Sequence, residues 1–306
     1  MNNVLRRHPA RVTAGLLAMA SALVLTACGG SSSGGGTRSG GTPSAGESTD
    51  AALAAKVPDA VKSDGVIAIG TDSTYAPSEF LDTDGKTVIG FDVDLFDAVA
   101  AKLDLKTKWV TADFGAIIEG VASGKYEAGV SSFTINSDRE KQATMISYFS
   151  AGTQWATQKG NPSGVQPDDA CGHKVAVQKD TVQVDDLTAK SKACTSSGKD
   201  AITIDQYRAQ DDATSAVVSG KDDAMLADSP VVAYAVQQTN GQLELLGDIY
   251  DSAPYGYVVP KDAQDFAQAI QGAVQDLIDD GTYQQILQKW GVDQGAISTA
   301  EINPSV

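Results

Sequence analysis

Val66-Ile67-Ala68-Ile69-Gly70 is a short, unbroken apolar run that ends in Thr71-Asp72. An apolar run of this length, bounded by turn formers, reads as a strand buried on both faces. The period then changes. Leu95, Phe96, Val99, Ala100 and Leu103 recur at i, i+1, i+4, i+5 and i+8, one face of a helix. Asp92 and Asp94 stand at its start, where carboxylates suit the helix dipole. Residues 106–110 are strand-like. Ile117, Ile118, Val121 and Ala122 predict a helix closed by Gly124, and residues 128–130 lead as a strand into Ser131-Ser132-Phe133-Thr134.

The rhythm restarts at Lys174-Val175-Ala176-Val177-Gln178. Helices are predicted over 182–193 and 209–219, with strands over 224–226 and near 255–259. Phe266, Ile270, Val274, Leu277 and Ile278 mark one face of a further helix, and residues 283–290 form a shorter one ended by Gly291. Strands alternating with helices predict an α/β fold with mostly parallel sheets. We expect two lobes and a C-terminal helical pair.

The ends of the chain follow different rules. Arg6, Arg7 and Arg11 precede an apolar run over 12–25, the pattern of an export signal and too short for a comfortable membrane span. Leu25-Thr26-Ala27-Cys28-Gly29 resembles the lipobox of bacterial lipoproteins, which implies cleavage after residue 27 and lipid on Cys28. Residues 28–56 begin with Gly, Ser and Thr and read as a flexible tether. The formal charge of −16 becomes −19 once the three arginines are removed. Such a surface excludes nucleic-acid binding, and leaves the lipid as the only expected hold on a membrane. With 3 Cys and 2 His in the whole chain, a metal centre or a histidine-based catalytic centre lacks material, and no cofactor is expected. Cys171 and Cys194 remain after lipidation and, outside the membrane, read as a disulfide.

Several segments line up with one family: Gly70-Thr71-Asp72-Ser73-Thr74-Tyr75-Ala76-Pro77, Glu79-Phe80, Gly90-Phe91-Asp92-Val93-Asp94-Leu95, Ser131-Ser132-Phe133-Thr134 before Arg139-Glu140, residues 222–228, and Asp280-Gly281-Thr282-Tyr283. Their order and spacing resemble the polar amino acid family of solute-binding proteins of ABC importers. The resemblance spans about residues 66–291. It implies a two-lobed, periplasmic-binding-protein-like type II fold with a double hinge crossover and the C-terminal helices on lobe 1. Lobe 1 would comprise residues 57–156 and 253–306, and lobe 2 residues 157–252, with crossings near Trp155 and Tyr257. The implied partners are a free amino acid and the permease subunits of an importer. The implied place is the outer face of the cytoplasmic membrane, and the implied state is a monomer.

Site residues carry over one by one. A buried amino acid needs both its carboxylate and its ammonium neutralised. Arg139 matches the carboxylate-binding arginine, and a planar guanidinium suits that task; taken alone, it reads as a solvated helix charge. Amides near Ser131, Ser132 and Thr134 are candidate added donors. Asp228 matches the ammonium partner, its plainer reading being a helix N-cap. Tyr75 and Phe114 match an aromatic pair around the ligand side chain, and Asp72 a position that meets cationic side chains; Glu79 is a second acidic candidate. Thr181 and Val182 stand where the family often has Gly-Thr-Thr, and Asp180 there must point away from a ligand carboxylate. Ser78 replaces a usual aromatic, which widens the expected pocket. A basic ligand is favoured by the acidic bias. The alternatives are a sensor for a signalling partner, and a dehydratase-type enzyme on the same scaffold. His173 is the only histidine of the mature chain, so the enzyme has little support.

Overall fold

In the computed structural model, which describes residues 49–305, Asp50 opens the first helix. Its Oδ1 accepts from Ala52 N at 2.8 Å and Leu53 N at 3.0 Å, capping α1 (Ala51–Ala54). Its own amide donates to the Lys102 carbonyl. Leu53 and Val57 join the hydrophobic core. The tether expected to reach residue 56 is therefore docked from Asp50 onward, because these two apolar side chains hold it. The export signal, Cys28 and the tether up to residue 48 lie outside the described residues.

The chain continues through α2 (Asp59–Lys62), β1 (Val66–Thr71), β2 (Thr74–Tyr75), β3 (Glu79–Leu81), β4 (Val88–Ile89), α3 (Phe91–Lys102), β5 (Lys106–Thr111), α4 (Phe114–Ala122), β6 (Ala128–Thr134), α5 (Ser137–Gln142) and β7 (Ala143–Gln158). It then forms β8 (Lys174–Gln178), α6 (Val182–Ser196), β9 (Thr203–Tyr207), α7 (Gln210–Val218), β10 (Ala224–Asp228), α8 (Ser229–Gln238), β11 (Leu243–Pro260), α9 (Gln264–Asp279) and α10 (Thr282–Trp290). Eight strands make one mixed sheet in the order β5-β1-β6-β11-β7-β10-β8-β9. Two parallel trios, β5-β1-β6 and β10-β8-β9, flank the antiparallel ribbon of β11 and β7. The expected parallel pairing holds within each trio; the ribbon that joins them is antiparallel to both neighbours.

The core divides along this ribbon. Clusters on one side draw on residues 57–151 and 255–300. Those on the other draw on residues 155–243, with Tyr75 reaching over from the first side. These are the two lobes. On β7, residues up to Ala151 pair with β11 from Ala253 onward, and residues from Thr153 onward pair with β10 and with β11 before Ala253. Gly152 sits at this joint, where a Cβ would lie 2.6 Å from the Tyr250 carbonyl. Trp155 and Tyr257, around which the crossings were expected, are instead fully buried in the cores of lobe 2 and lobe 1. Both crossings lie closer to Gly152, where only a residue without a side chain lets the two strands meet.

Two long strands escaped the sequence reading. β7 is buried along both faces, so it shows no alternation, and β11 extends 12 residues before Tyr255 through a polar, irregularly paired stretch. β9 is a polar edge strand and escaped for the same want of pattern.

α3 begins at Gly90, whose φ of 144° places its Cα against the Ser78 carbonyl, where any Cβ would collide. That entry turns Asp92 inward. Asp92 and Asp94 both stand in the first turn of α3, as expected; Asp92 is fully buried there, and Asp94 is bonded to Lys289 and Trp290.

Cys171 and Cys194 are bonded to each other, tying the entry of β8 to the last turn of α6 across 23 residues of sequence. Replacing both by alanine is expected to cost about 3 kcal/mol of unfolding free energy. Urea denaturation of the two oxidised proteins measures it, and a loss below about 1 kcal/mol would contradict the constraint.

Candidate functional site

The two lobes meet over a small enclosed cavity. Lobe 1 supplies Tyr75, Phe114, Ser132, Thr134 and Arg139, and lobe 2 supplies Gln178, Thr181, Val182, Gln183 and Asp228. Its volume is about 10 Å³, room for about one water molecule, because the facing walls bond to each other directly. The Tyr75 hydroxyl donates to Asp228 Oδ2 at 2.8 Å, and the Gln178 amide to Asp72 Oδ2 at 2.9 Å. Beside the cavity, Arg208 pairs with Asp113 and the Gln210 amide donates to Thr74 Oγ1, again from lobe to lobe.

Arg139 is placed by its own helix. Asn136 caps α5, accepting from Asp138 N and Arg139 N. The guanidinium then turns back over β6, where Nη1 donates to the Thr134 carbonyl at 2.8 Å. It lies 5.2 Å from the Phe114 ring and 5.6 Å from Phe133, and these two rings stack at 4.8 Å. Burial pulls its pKa down to about 10, which leaves it cationic at neutral pH. The reading of Arg139 as a solvated helix charge does not survive this geometry.

Asp228 ends β10 and occupies the N-cap position of α8, but its side chain makes no cap bond. It is 6 % exposed and turns into the cavity, where Oδ1 accepts from Gln183 Nε2 at 2.8 Å. Burial raises its pKa, while hydrogen bonds and the Arg139 charge hold it down. Burial, followed by the charge of Asp228, pushes the Tyr75 hydroxyl well above its ordinary range. One cavity thus carries a half-buried cation on one wall and a buried carboxyl on the other.

The first turn of the 15-residue α6 forms part of the lobe 2 wall through Val182 and Gln183. Helix N-termini present unpaired amides and a partial positive charge. Thr181 precedes this turn and spends its hydroxyl on the Gln178 carbonyl rather than on the cap. Asp180 does point away: it is absent from the cavity lining, and its carboxylate lies 3.8 Å from Lys179.

Not every sequence-derived candidate faces the cavity. Asp72 lies behind the wall, because Thr74 Oγ1, the Phe114 amide and Gln178 take up its carboxylate. It borders a second, acidic recess of about 430 Å³ with Asp113, Asp211 and Asp212. Ser131 is also behind the wall, donating to Glu79 Oε1 at 2.8 Å and accepting from the Asp72 amide at 3.0 Å. Ser132 does line the cavity, but its amide is spent on Asp92 Oδ2 at 3.1 Å and cannot serve as an added donor there. Ser78 is fully buried outside the lining, so it widens nothing.

Gln178 and Gln183 were not anticipated. The available signal was position: Gln178 ends a strand of a parallel trio, where α/β folds place their crevices, and Gln183 opens the next helix.

A curated relative, the arginine-binding protein ArgT of Corynebacterium glutamicum, is 38% identical over 252 residues, which is 82% of each chain. The lysine/arginine/ornithine-binding periplasmic protein of Escherichia coli is 28% identical, covering 80% of this chain and 92% of its own. A solved ancestral arginine-binding protein bound to arginine superposes with a TM-score of 0.68 at 31% identity, covering 74% of this chain and 98% of that one. The family model of the bacterial extracellular solute-binding proteins, family 3, matches residues 67–293, and the chain belongs to that family.

Proposed function

We propose that this chain is the extracytoplasmic receptor of an ABC importer for a free basic amino acid, arginine foremost. The observation that carries this reading is the pairing of Arg139 and Asp228 on facing walls of one enclosed cavity. An amino acid presents a carboxylate and an ammonium about two bonds apart, and both lose water on entry. Arg139 and the first turn of α6 take the carboxylate; Asp228 takes the ammonium, with Thr134 beside it. Tyr75 and Phe114 offer aromatic faces to the side chain, an arrangement that favours a cation. Asp72, one layer behind Gln178, adds negative charge at that end. The names of the two relatives and of the solved ancestor point the same way.

Ligand capture is a closure of the lobes about β7 and β11, with contacts from both walls favouring the closed form. At the ends we expect a signal peptide over 1–27, lipid on Cys28 and a tether that holds the lobes near the membrane. The lobes divide near Gly152 on β7 and just before Ala253 on β11. The receptor hands its ligand to the permease unchanged.

Calorimetry of the mature chain against the twenty amino acids and ornithine tests the reading. Saturable binding of one equivalent, tightest for arginine or lysine and weakest for aspartate and glutamate, is the expected result. No saturable binding, or chemical conversion of the bound compound, would overturn it.

A further inference from the structure

Behind the lobe 1 wall, the carboxyl groups of Glu79 on β3 and Asp92 on α3 are both fully buried, each in the other's field, and one oxygen of each, Glu79 Oε2 and Asp92 Oδ1, has no hydrogen-bond partner. Two ionised carboxylates buried together with no donor for these oxygens and no cation beside them are costly, and one proton on the pair relieves that cost. The remaining hydrogen bonds say where it sits. Asp92 Oδ2 accepts from the Ser132 amide at 3.1 Å, the Ser132 hydroxyl at 3.3 Å and the Tyr148 hydroxyl at 2.6 Å. Three donors converging on one oxygen favour an anion. Glu79 Oε1 accepts only from Ser131. Glu79 Oε2 and Asp92 Oδ1 are buried with no amide or hydroxyl donor to either, and are the two oxygens left to share the proton. Glu79 is therefore the acid and Asp92 the carboxylate.

The surroundings agree. Burial, followed by the charge of Asp92, pushes Glu79 well above the usual carboxylate range. Burial lifts Asp92 only to about 6, because hydrogen bonds, chiefly from Tyr148, hold it down. The groups facing the pair from neighbouring elements are Asp72 after β1, Tyr75 on β2, Tyr148 on β7 and Tyr257 on β11, each neutral or acidic.

This pair props the cavity. Ser132 holds a left-handed backbone, φ 49°, which a non-glycine residue adopts at a cost unless its surroundings fix it. Asp92 fixes it through both the amide and the hydroxyl. Glu79 reaches the wall by a second path, through Ser131 and the Asp72 amide to the Phe114 amide that Asp72 accepts. We propose that Glu79 and Asp92 are positioning residues for ligand capture: one proton kept on Glu79 leaves Asp92 free to pin Ser132 and so to hold the lobe 1 wall in shape. The proposal rests on the reading of the cavity as the amino acid site.

Infrared spectroscopy and arginine calorimetry at pH 7 test it together. The wild type shows a protonated-carboxyl stretch that is lost in Glu79→Gln. Glu79→Gln binds arginine within about twofold of wild type, because a glutamine amide donates to Asp92 and its carbonyl accepts from Ser131. Glu79→Ala and Asp92→Asn each weaken binding at least about tenfold, as expected for losing a hydrogen bond to a charged group. A band that persists in Glu79→Gln, or a folded Glu79→Gln that binds as weakly as Glu79→Ala, overturns the proposal. Should Asp92→Asn not fold, the two Glu79 variants still decide. No arginine binding by the wild type overturns the receptor reading and the positioning role with it, whereas the band reports the shared proton independently.

Discussion

Arg139→Ala is expected to weaken arginine binding by about 30- to 5,000-fold, the range for truncating one partner of a buried, hydrogen-bonded charge pair. The guanidinium is held by the Thr134 carbonyl and by two aromatic rings before any ligand arrives. Little freedom remains to be lost on binding, so most of the carboxylate interaction appears as affinity. Without the cation, the ligand carboxylate enters a cavity whose only other charge is the carboxyl of Asp228. Arg139→Lys should fall between, since an ammonium keeps the charge and loses the fork. Stability should change little. Burial disfavours the cation, while the Thr134 carbonyl and the Phe114 and Phe133 rings favour it, so the unliganded variant should stay within about 1 kcal/mol of wild type in urea. Calorimetry and denaturation on the same sample separate the two effects. Binding within threefold of wild type, or a loss of binding that tracks a loss of stability, would remove Arg139 from the ligand site.

What the sequence made legible divides by how local each signal is. Ser132, Thr134 and Arg139 lie within eight residues, and one strand and one short helix bring them to a single wall. Asp228 was legible as the last residue of a buried strand. Asp72 and Ser131 were placed one layer too far forward. Residue type and position bring a side chain near a cleft, but the competing hydrogen bonds decide which atoms face it. For Asp72 those partners are Thr74 and Phe114 close by, and Gln178 from the other lobe, which sequence order does not suggest. Asp92 carried a readable signal that the dipole argument hid. It stands at i with Leu95, Phe96 and Val99 at i+3, i+4 and i+7, the buried face of its helix. The 16 residues of β7 carried none, because a strand at the centre of a sheet is buried toward both sides and shows no alternation.

Asp228→Asn is the second large effect, again about 30- to 5,000-fold in arginine affinity, and its interpretation needs a control. Asp228 has work to do besides meeting an ammonium: it accepts a hydroxyl from Tyr75 in lobe 1 and an amide from Gln183 in lobe 2. A variant could lose affinity because the lobes no longer latch. Tyr75→Phe removes the interlobe hydrogen bond and keeps the ring, so its loss, about tenfold for a bond to a charged acceptor, measures the latch alone. A second control changes the ligand. The desamino analogue of arginine keeps the carboxylate and guanidinium and lacks the ammonium. If Asp228 meets the ammonium, wild type binds the analogue about as weakly as Asp228→Asn binds arginine, and Asp228→Asn shows only the smaller latch effect on the analogue. The two losses then fail to add, as they must when they remove the same interaction from opposite sides. Full additivity would mean that Asp228 acts through Tyr75 and Gln183 and that the ammonium is held elsewhere. The same cycle is insensitive to where the guanidinium lies, since both ligands carry it, so it isolates the one contact that distinguishes an amino acid from any other guanidino acid.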